Sequence, residues 1–445
     1  MINQKILLSG FLGAAALIFF SSMSNAGGDV SGASVGFTIS NGKIYFSDKN
    51  GVIDSMMRGQ SGKLALIVND KNIDGFERNF AYAAMYRVKY NISSANAEFI
   101  SCEEAIHNTD DRNRTLCSMM LAGGYFIERN MRSWIKQANY IHQTYGPIIK
   151  KSFPGRRLAF NSAPSTKGFN DTSWPNYRVH FGSSRFVVDY INPSARVGYE
   201  KRLRTVVPVQ IDGHAYHALI DTGSSFDVIS SKLARKIGID ELIKYGKVTN
   251  ARLGVMKSYM GVAKKIEFGS FYVSNWPVTV TDNVPFDVIL GLPFLSKMKA
   301  VRFEKNRVVV DENGKDLLCH KDIDFGSNID GSEIKLFTPL MISGRKSFAY
   351  IDTGDPVFIG GFLSKARAGK PDKVIKTFYA DGSIHLDKAY RKDAVIGVAG
   401  FSREISYWDE YSPANISPYV LGSGILSNFS LVINFTGGKL CLIPR

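Results

Sequence analysis

The chain has 445 residues, 44% of them hydrophobic, with 55 Lys and Arg against 40 Asp and Glu. That length and apolar content exclude a disordered or fibrous protein and leave room for two to three cores. The formal charge of +15 is spread thinly, as in Lys150-Lys151, Arg156-Arg157 and Lys201 to Arg204. It suits solubility or association with an anionic envelope surface, and with no nucleic-acid motif beside it, nucleic acid is not an expected partner.

At the start, Lys5 precedes an apolar core from Ile6 to Phe20 and a small-residue site at Ser24-Asn25-Ala26. This is the pattern of a secretory signal over residues 1–26, cleaved before Gly27, so an exported, periplasmic or secreted location is expected. The apolar core is short for a membrane span, which leaves an uncleaved anchor as the lesser reading. Four cysteines in an exported chain permit three pairings. Joining Cys102 to Cys117 would close a short polar loop, and joining Cys319 to Cys441 would tie the start of the last lobe to its final strand; buried thiols are the other reading.

Next comes FTISNGKIYF, whose alternating pattern around Asn41-Gly42 predicts a small β-hairpin. The period then changes: Ile73, Phe76, Phe80 and Ala84, and later Met131, Trp134, Ala138 and Ile141, recur at helical spacing ahead of Gly146-Pro147. An N-terminal domain over 27–150 is therefore expected, a hairpin followed by amphipathic helices across 72–146. Its aromatic stripe reads as packing, and His107 and His142 lack partners at metal-ligand spacing. Residues 151–175, rich in Pro, Gly, Ser and basic residues, read as a linker. From Tyr177 onward short β-type runs dominate, with KLARKIG the main helical window.

Two of those runs carry one pattern. HALIDTGSSFDVIS at 217–230 is repeated as FAYIDTGDPVFIGG, 131 residues later. The offset extends beyond the tripeptide: Pro208, Ile211, Gly213, Ala218 and Ile220 have counterparts in Pro339, Ile342, Gly344, Ala349 and Ile351, and Leu290, Gly291, Leu295 and Ser296 in Leu421, Gly422, Leu426 and Ser427. Preservation of spacing over this distance argues for a duplicated unit with one shared site.

A strand leading to Asp-Thr-Gly, with an apolar-apolar-Gly segment some seventy residues on, resembles the half-site of the retropepsin-like aspartic proteases, and two halves in one chain are similar to the bilobal pepsin arrangement. The resemblance covers roughly 176–445. It implies a mostly β, bilobal acid-protease-like fold with lobes at 176–316 and 317–445, preceded by the α-helical domain. It also implies that Asp221 and Asp352 are the catalytic pair, that Thr222 and Thr353 brace the two loops, and that Gly223 and Gly354 lie beneath the carboxylates. Ile289-Leu290-Gly291 and Val420-Leu421-Gly422 would pass under the loops, and Ser224 would support the first of them.

The chemistry agrees with that assignment. Two adjacent carboxylates cannot both ionise readily, so they share a proton; the ionised member can act as base on a water while the protonated one hydrogen-bonds a peptide carbonyl. No metal or organic cofactor is required. The second copy departs from the pattern, with Asp355-Pro356 where the first has Ser224-Ser225, so Asp355 is a candidate modulator of the pair. A cover over the cleft is expected from hairpins near Thr249-Asn250-Ala251 and Ala380-Asp381-Gly382, with Tyr259 or Tyr379 as flap aromatics. The expected activity is that of an exported, monomeric aspartic endopeptidase acting on protein or peptide. The alternative is a non-catalytic peptide-binding module of the same fold in the cell envelope.

Overall fold

The computed structural model describes residues 11–13, 35–40, 43–48, 50–105, 111–147, 174–197, 200–250, 254–282, 284, 286–314, 317, 319–363, 370–378, 384–411 and 417–445. The signal-like residues 1–26 lie outside these apart from Phe11–Gly13, a three-residue strand, and so does most of the expected linker. Residue contacts divide the chain into a β unit, comprising 1–12, 177–323 and 335–445, and a helical unit, comprising 13–176 and 324–334.

In the helical unit the strands Val35–Ser40 and Lys43–Asp48 pair around Asn41-Gly42. Among the described residues these helices follow: α1 Val52–Met57, α2 Ser61–Asn69, α3 Gly75–Val88, α4 Ile92–Ala105, α5 Asp111–Ile127 and α6 Met131–Thr144. Helix thus begins twenty residues before the expected 72, because α1 and α2 are too short to display a period. The entry to α1 is fixed locally instead: the Asp48 carboxylate accepts from the Ile53 N–H at 3.1 Å and the Asp54 N–H at 2.9 Å, satisfying donors that a first helical turn leaves open. Asp74 does the same for α3 through the Glu77 N–H, and Asn130 for α6 through the Ser133 N–H. On α6 the predicted stripe of Met131, Trp134, Ala138 and Ile141 is buried. Cys102 of α4 is joined to Cys117 of α5.

One element departs from the sequence reading. Residues 324–334, expected in the second lobe, belong to the helical unit. Ser61 Oγ donates to Asp324 Oδ1 at 3.0 Å, Tyr90 meets the Phe325 ring edge-on at 4.9 Å, and Arg87 Nη1 donates to the Ile329 carbonyl at 3.3 Å. Arg87 is fully buried, and loss of solvent pulls its guanidinium down to about 9 against the opposing charge of Asp330.

The β unit contains two closed six-stranded barrels. In the first, Val206–Ile211, His214–Ile220, Val288–Leu290, Val228–Ser230, Phe271–Thr281 and Gly254–Phe268 follow one another in hydrogen-bonded order, and the last pairs back on the first. In the second the order is Ile334–Ile342, Arg345–Asp352, Tyr419–Gly422, Ile359–Leu363, Phe401–Tyr411 and Ile384–Val398, again closing on itself. The barrels correspond strand for strand. Ala218 pairs with Val288 and Ile220 with Leu290 in parallel; adding 131 to each gives Ala349 with Tyr419 and Ile351 with Leu421, which also pair. Closure removes the edges that alternating strands such as VVPVQI would otherwise present.

A five-stranded sheet runs in the order Lys439–Pro444, Phe429–Asn434, Ala300–Phe303, Arg307–Asp311 and Arg185–Asp189, so two strands of the second lobe join three of the first at one seam. Cys319 is joined to Cys441 of its outer strand, beside the buried cluster of Ala300, Leu317 and Val432. Each barrel also carries a hairpin, Ile243–Asn250 against Gly254–Phe268 and Lys373–Phe378 against Ile384–Val398. Their tips, with Ala251, Tyr379 and Ala380-Asp381-Gly382, lie outside the described residues. Tyr259 stands well down its arm opposite Lys244 and donates to the Ile239 carbonyl at 3.5 Å, so it is not a tip residue.

Candidate active site

Each Asp-Thr-Gly turn sits where an apolar strand runs out beside its parallel neighbour. Ile220 and Ile351 are fully buried, and the strands they end deliver Asp221 and Asp352 at 1% and 0% exposure. A buried carboxylate needs donors, and each loop supplies its own: Gly223 N–H reaches Asp221 Oδ1 at 2.8 Å, and Gly354 N–H reaches Asp352 Oδ1 at 3.0 Å. The glycines are required for a second reason, which spacing alone does not reveal. A Cβ on Gly223 would overlap the Asp352 carboxyl, and one on Gly354 would overlap that of Asp221. The two carboxyls therefore face each other, each across the other's glycine.

The threonines lock the loops reciprocally. Thr222 N–H donates to Thr353 Oγ1 and Thr353 N–H to Thr222 Oγ1, both at 3.0 Å. Each hydroxyl then donates onward, Thr222 to the Ile351 carbonyl at 3.0 Å and Thr353 to the Ile220 carbonyl at 2.9 Å. All four bonds are buried and cross between lobes, so neither loop can shift without breaking a satisfied polar network.

Beneath the loops, Leu290 and Leu421 are buried. Gly291 and Gly422 admit backbone where a side chain would collide, with the Ser224 and Phe226 carbonyls in one lobe and those of Asp355 and Val357 in the other. Leu292 N–H donates to the Ser224 carbonyl at 3.0 Å, and Ser423 N–H to that of Asp355 at 2.7 Å. Ser224 and Asp355 themselves do equivalent work. The Phe226 N–H reaches Ser224 Oγ at 3.4 Å, and the Val357 N–H reaches Asp355 Oδ1 at 3.1 Å. Asp355 thus replaces a hydroxyl with a carboxylate in the same turn.

Four polar residues at this site escaped the sequence reading. Thr205 Oγ1 donates to the Ile220 carbonyl at 2.7 Å and the Thr353 carbonyl at 3.0 Å. Ser423 Oγ bridges the carbonyls of Leu203 and Asp355. Asp227 accepts from Gly291 N–H and Trp276 Nε1. Lys335, 4% exposed, donates from Nζ to the Gly223 carbonyl at 3.1 Å. Only the 131-residue offset offered a clue to the last, since it sets Lys335 against Arg204.

Burial governs the electrostatics. It pushes Asp352 well above the ordinary 3.8, the charge of Asp221 adds to this, and Lys335 opposes it. Asp221 is also raised by burial, while a hydrogen bond from Asp352, the Gly223 N–H and Lys335 draw it back. Asp352 Oδ2 is buried and meets no fixed donor. Both carboxyls are raised and act on each other, so the titration belongs to the pair. Such a pair carries a base and an acid side by side. Among the described residues no group of three His, Cys, Asp or Glu is arranged to hold a metal ion.

Residues 207–297 match the family described as "gag-polyprotein putative aspartyl protease". No curated protein matches the chain. Among solved structures, a retropepsin-like aspartic protease from Rickettsia conorii is 15% identical, with 31% of this chain and 95% of that one covered and a TM-score of 0.23. The retroviral protease-like domain of Ddi1 from Leishmania major is 18% identical over 22% of this chain and 78% of that one, with a TM-score of 0.18. The matched segment is the first lobe from its opening strand past Gly291, and it holds the first Asp-Thr-Gly loop and the strand beneath it. Residues 207–297 thus match the model of that aspartyl protease family, and the six-stranded barrel that holds them is repeated in the second half of the β unit.

Proposed function

We propose that the chain is an exported aspartic-type endopeptidase in which Asp221 and Asp352 activate one water between them. The ionised carboxylate takes a proton from the water as its oxygen attacks the peptide carbonyl carbon, and the shared proton passes to the carbonyl oxygen. Collapse of the tetrahedral diol breaks the C–N bond: the leaving amine takes a proton from the carboxyl that had gained one, and a diol hydroxyl returns its proton to the other carboxylate, which restores the proton-sharing pair. The observation that carries this reading is the facing, buried pair with its reciprocal threonine bracing. Protein or peptide is the proposed substrate, and one chain holding both half-sites needs no second copy to complete the site.

Export is supported by the leader-like first 26 residues and by two disulfides, which persist in oxidising compartments. Among the described residues no helix is long and apolar enough to cross a membrane. The equivalence of Asp355 with Ser224 favours a peptidase over a binding module, because the carboxylate has a turn N–H to serve. The test is pepstatin-sensitive cleavage of an unfolded protein at mildly acidic pH. Binding of such a substrate without cleavage would favour the module instead.

A further inference from the structure

Lys335 is a buried cation close to the aspartate pair. It is the second residue of the strand Ile334–Ile342 by which the chain returns to the β unit, in the run Ile334-Lys335-Leu336-Phe337, where its neighbours are all buried apolar residues. A lysine in such a run ordinarily extends to solvent. This one does not: it is 4% exposed, its Nζ lies 4.6 Å from the centre of the Tyr350 ring and donates to the Gly223 carbonyl. Burying an ammonium is costly unless charge of opposite sign lies near, and the buried carboxyls of Asp221 and Asp352 provide it.

The arrangement has a counterpart that separates anchoring from charge. Thr205, from the opening strand region of the first lobe, holds the Thr353 carbonyl of the second loop; Lys335, from the opening strand of the second, holds the Gly223 carbonyl of the first. Each lobe pins the other's loop, but one pin is neutral and the other cationic. Arg204, the residue equivalent to Lys335 by the offset, is half-buried and supplies its N–H to the Pro193 carbonyl.

We propose that Lys335 is a positioning residue and the fixed counter-cation of the aspartate pair, holding the first loop by its carbonyl and balancing the single negative charge of the proton-sharing state. This rests on the peptidase reading for its consequence in catalysis, though not for its consequence in titration. A pair that shares one proton carries one negative charge, and Lys335 brings the buried site to neutrality. Without it, burial would keep both carboxyls protonated to higher pH, and a fully protonated pair has no base. The groups bearing on Lys335 are Asp221 and the Gly223 carbonyl on the first loop, Asp352 on the second, and the Tyr350 ring beneath. Asp355, the other buried carboxylate of the second loop, serves the Val357 N–H. The attraction of Lys335 for both aspartates acts in the required direction.

The experiment compares the full-length wild type with Lys335→Met, Lys335→Gln and Lys335→Arg. Glutamine can still donate to Gly223 but carries no charge, and arginine restores the charge. For each folded protein the pH dependence of kcat/KM is measured on a quenched fluorescent peptide. The titration of the aspartate carboxyls is followed in parallel by carbon-13 NMR, assigned with Asp221→Asn and Asp352→Asn. Expected is a shift of both limbs of the rate profile, and of the carboxyl titration, to higher pH in the methionine and glutamine variants, and its reversal by arginine. A folded neutral variant with unmoved carboxyl titration overturns the proposal. If the wild type cleaves nothing while the titration moves as expected, Lys335 keeps its role and the peptidase reading fails.

Discussion

Asp352 sets the most readily measured consequence at the level of single residues. Its proton affinity in the folded chain lies well above the ordinary 3.8, chiefly from burial and then from Asp221. As pH rises past that ordinary value, the unfolded chain releases its proton while the folded chain retains one, so the contribution to stability is present at low pH and lost on the way up. Asp352→Asn keeps the volume and removes the titration. Thermal melts across a pH series should therefore show the variant gaining on the wild type as pH rises above about 3.8; parallel curves would show that no such proton is held. At the threonines, Thr222→Val strands the Thr353 N–H and the Ile351 carbonyl, both buried. It should cost about 1–3 kcal/mol per stranded group in urea unfolding and lower kcat. An unchanged urea midpoint would mean that the reciprocal bonds contribute little.

At the scale of elements, the loops were legible because their constraints are local and doubled. Asp-Thr-Gly after an apolar strand needs no partner to be recognised, and a second copy at constant offset fixes the first. The apolar-apolar-Gly strands were legible for the same reason. Lys335 was not, because a lone lysine in IKLFTPL reads as the polar member of an alternating strand, and only the closed barrel turns it toward the Gly223 carbonyl. Helices α1 and α2 were missed because six and nine residues span too few turns to show a period. Residues 324–334 were misassigned since nothing local says which core a strand will join. The covalent element Cys319–Cys441 spans 122 residues. Closing a loop of that size restricts the unfolded chain, so Cys441→Ser should lower unfolding stability by about 2–4 kcal/mol, and a urea midpoint equal to that of the wild type would contradict this.

At the scale of the molecule, the chain is a duplicated β unit interrupted by a short excursion into a helical one. It leaves the β unit after Ile323 and returns at Lys335. Between these points Phe325 and Ile329 are buried among helical-unit residues, and Arg87 donates to the Ile329 carbonyl. The helical unit is therefore not built like a removable leader. Nicking within 148–173 by a second protease should leave the two fragments together on size exclusion under native conditions, and release of a free helical fragment would contradict this.

In the proposed mechanism two equivalent aspartates form one catalytic unit, and a single comparison tests this directly. Cleavage of an unfolded protein by the purified wild type is measured at mildly acidic pH beside Asp221→Asn and Asp352→Asn, with near-UV circular dichroism showing all three folded. Loss of turnover in both variants is the predicted result. Near-wild-type turnover in either one would contradict the shared site.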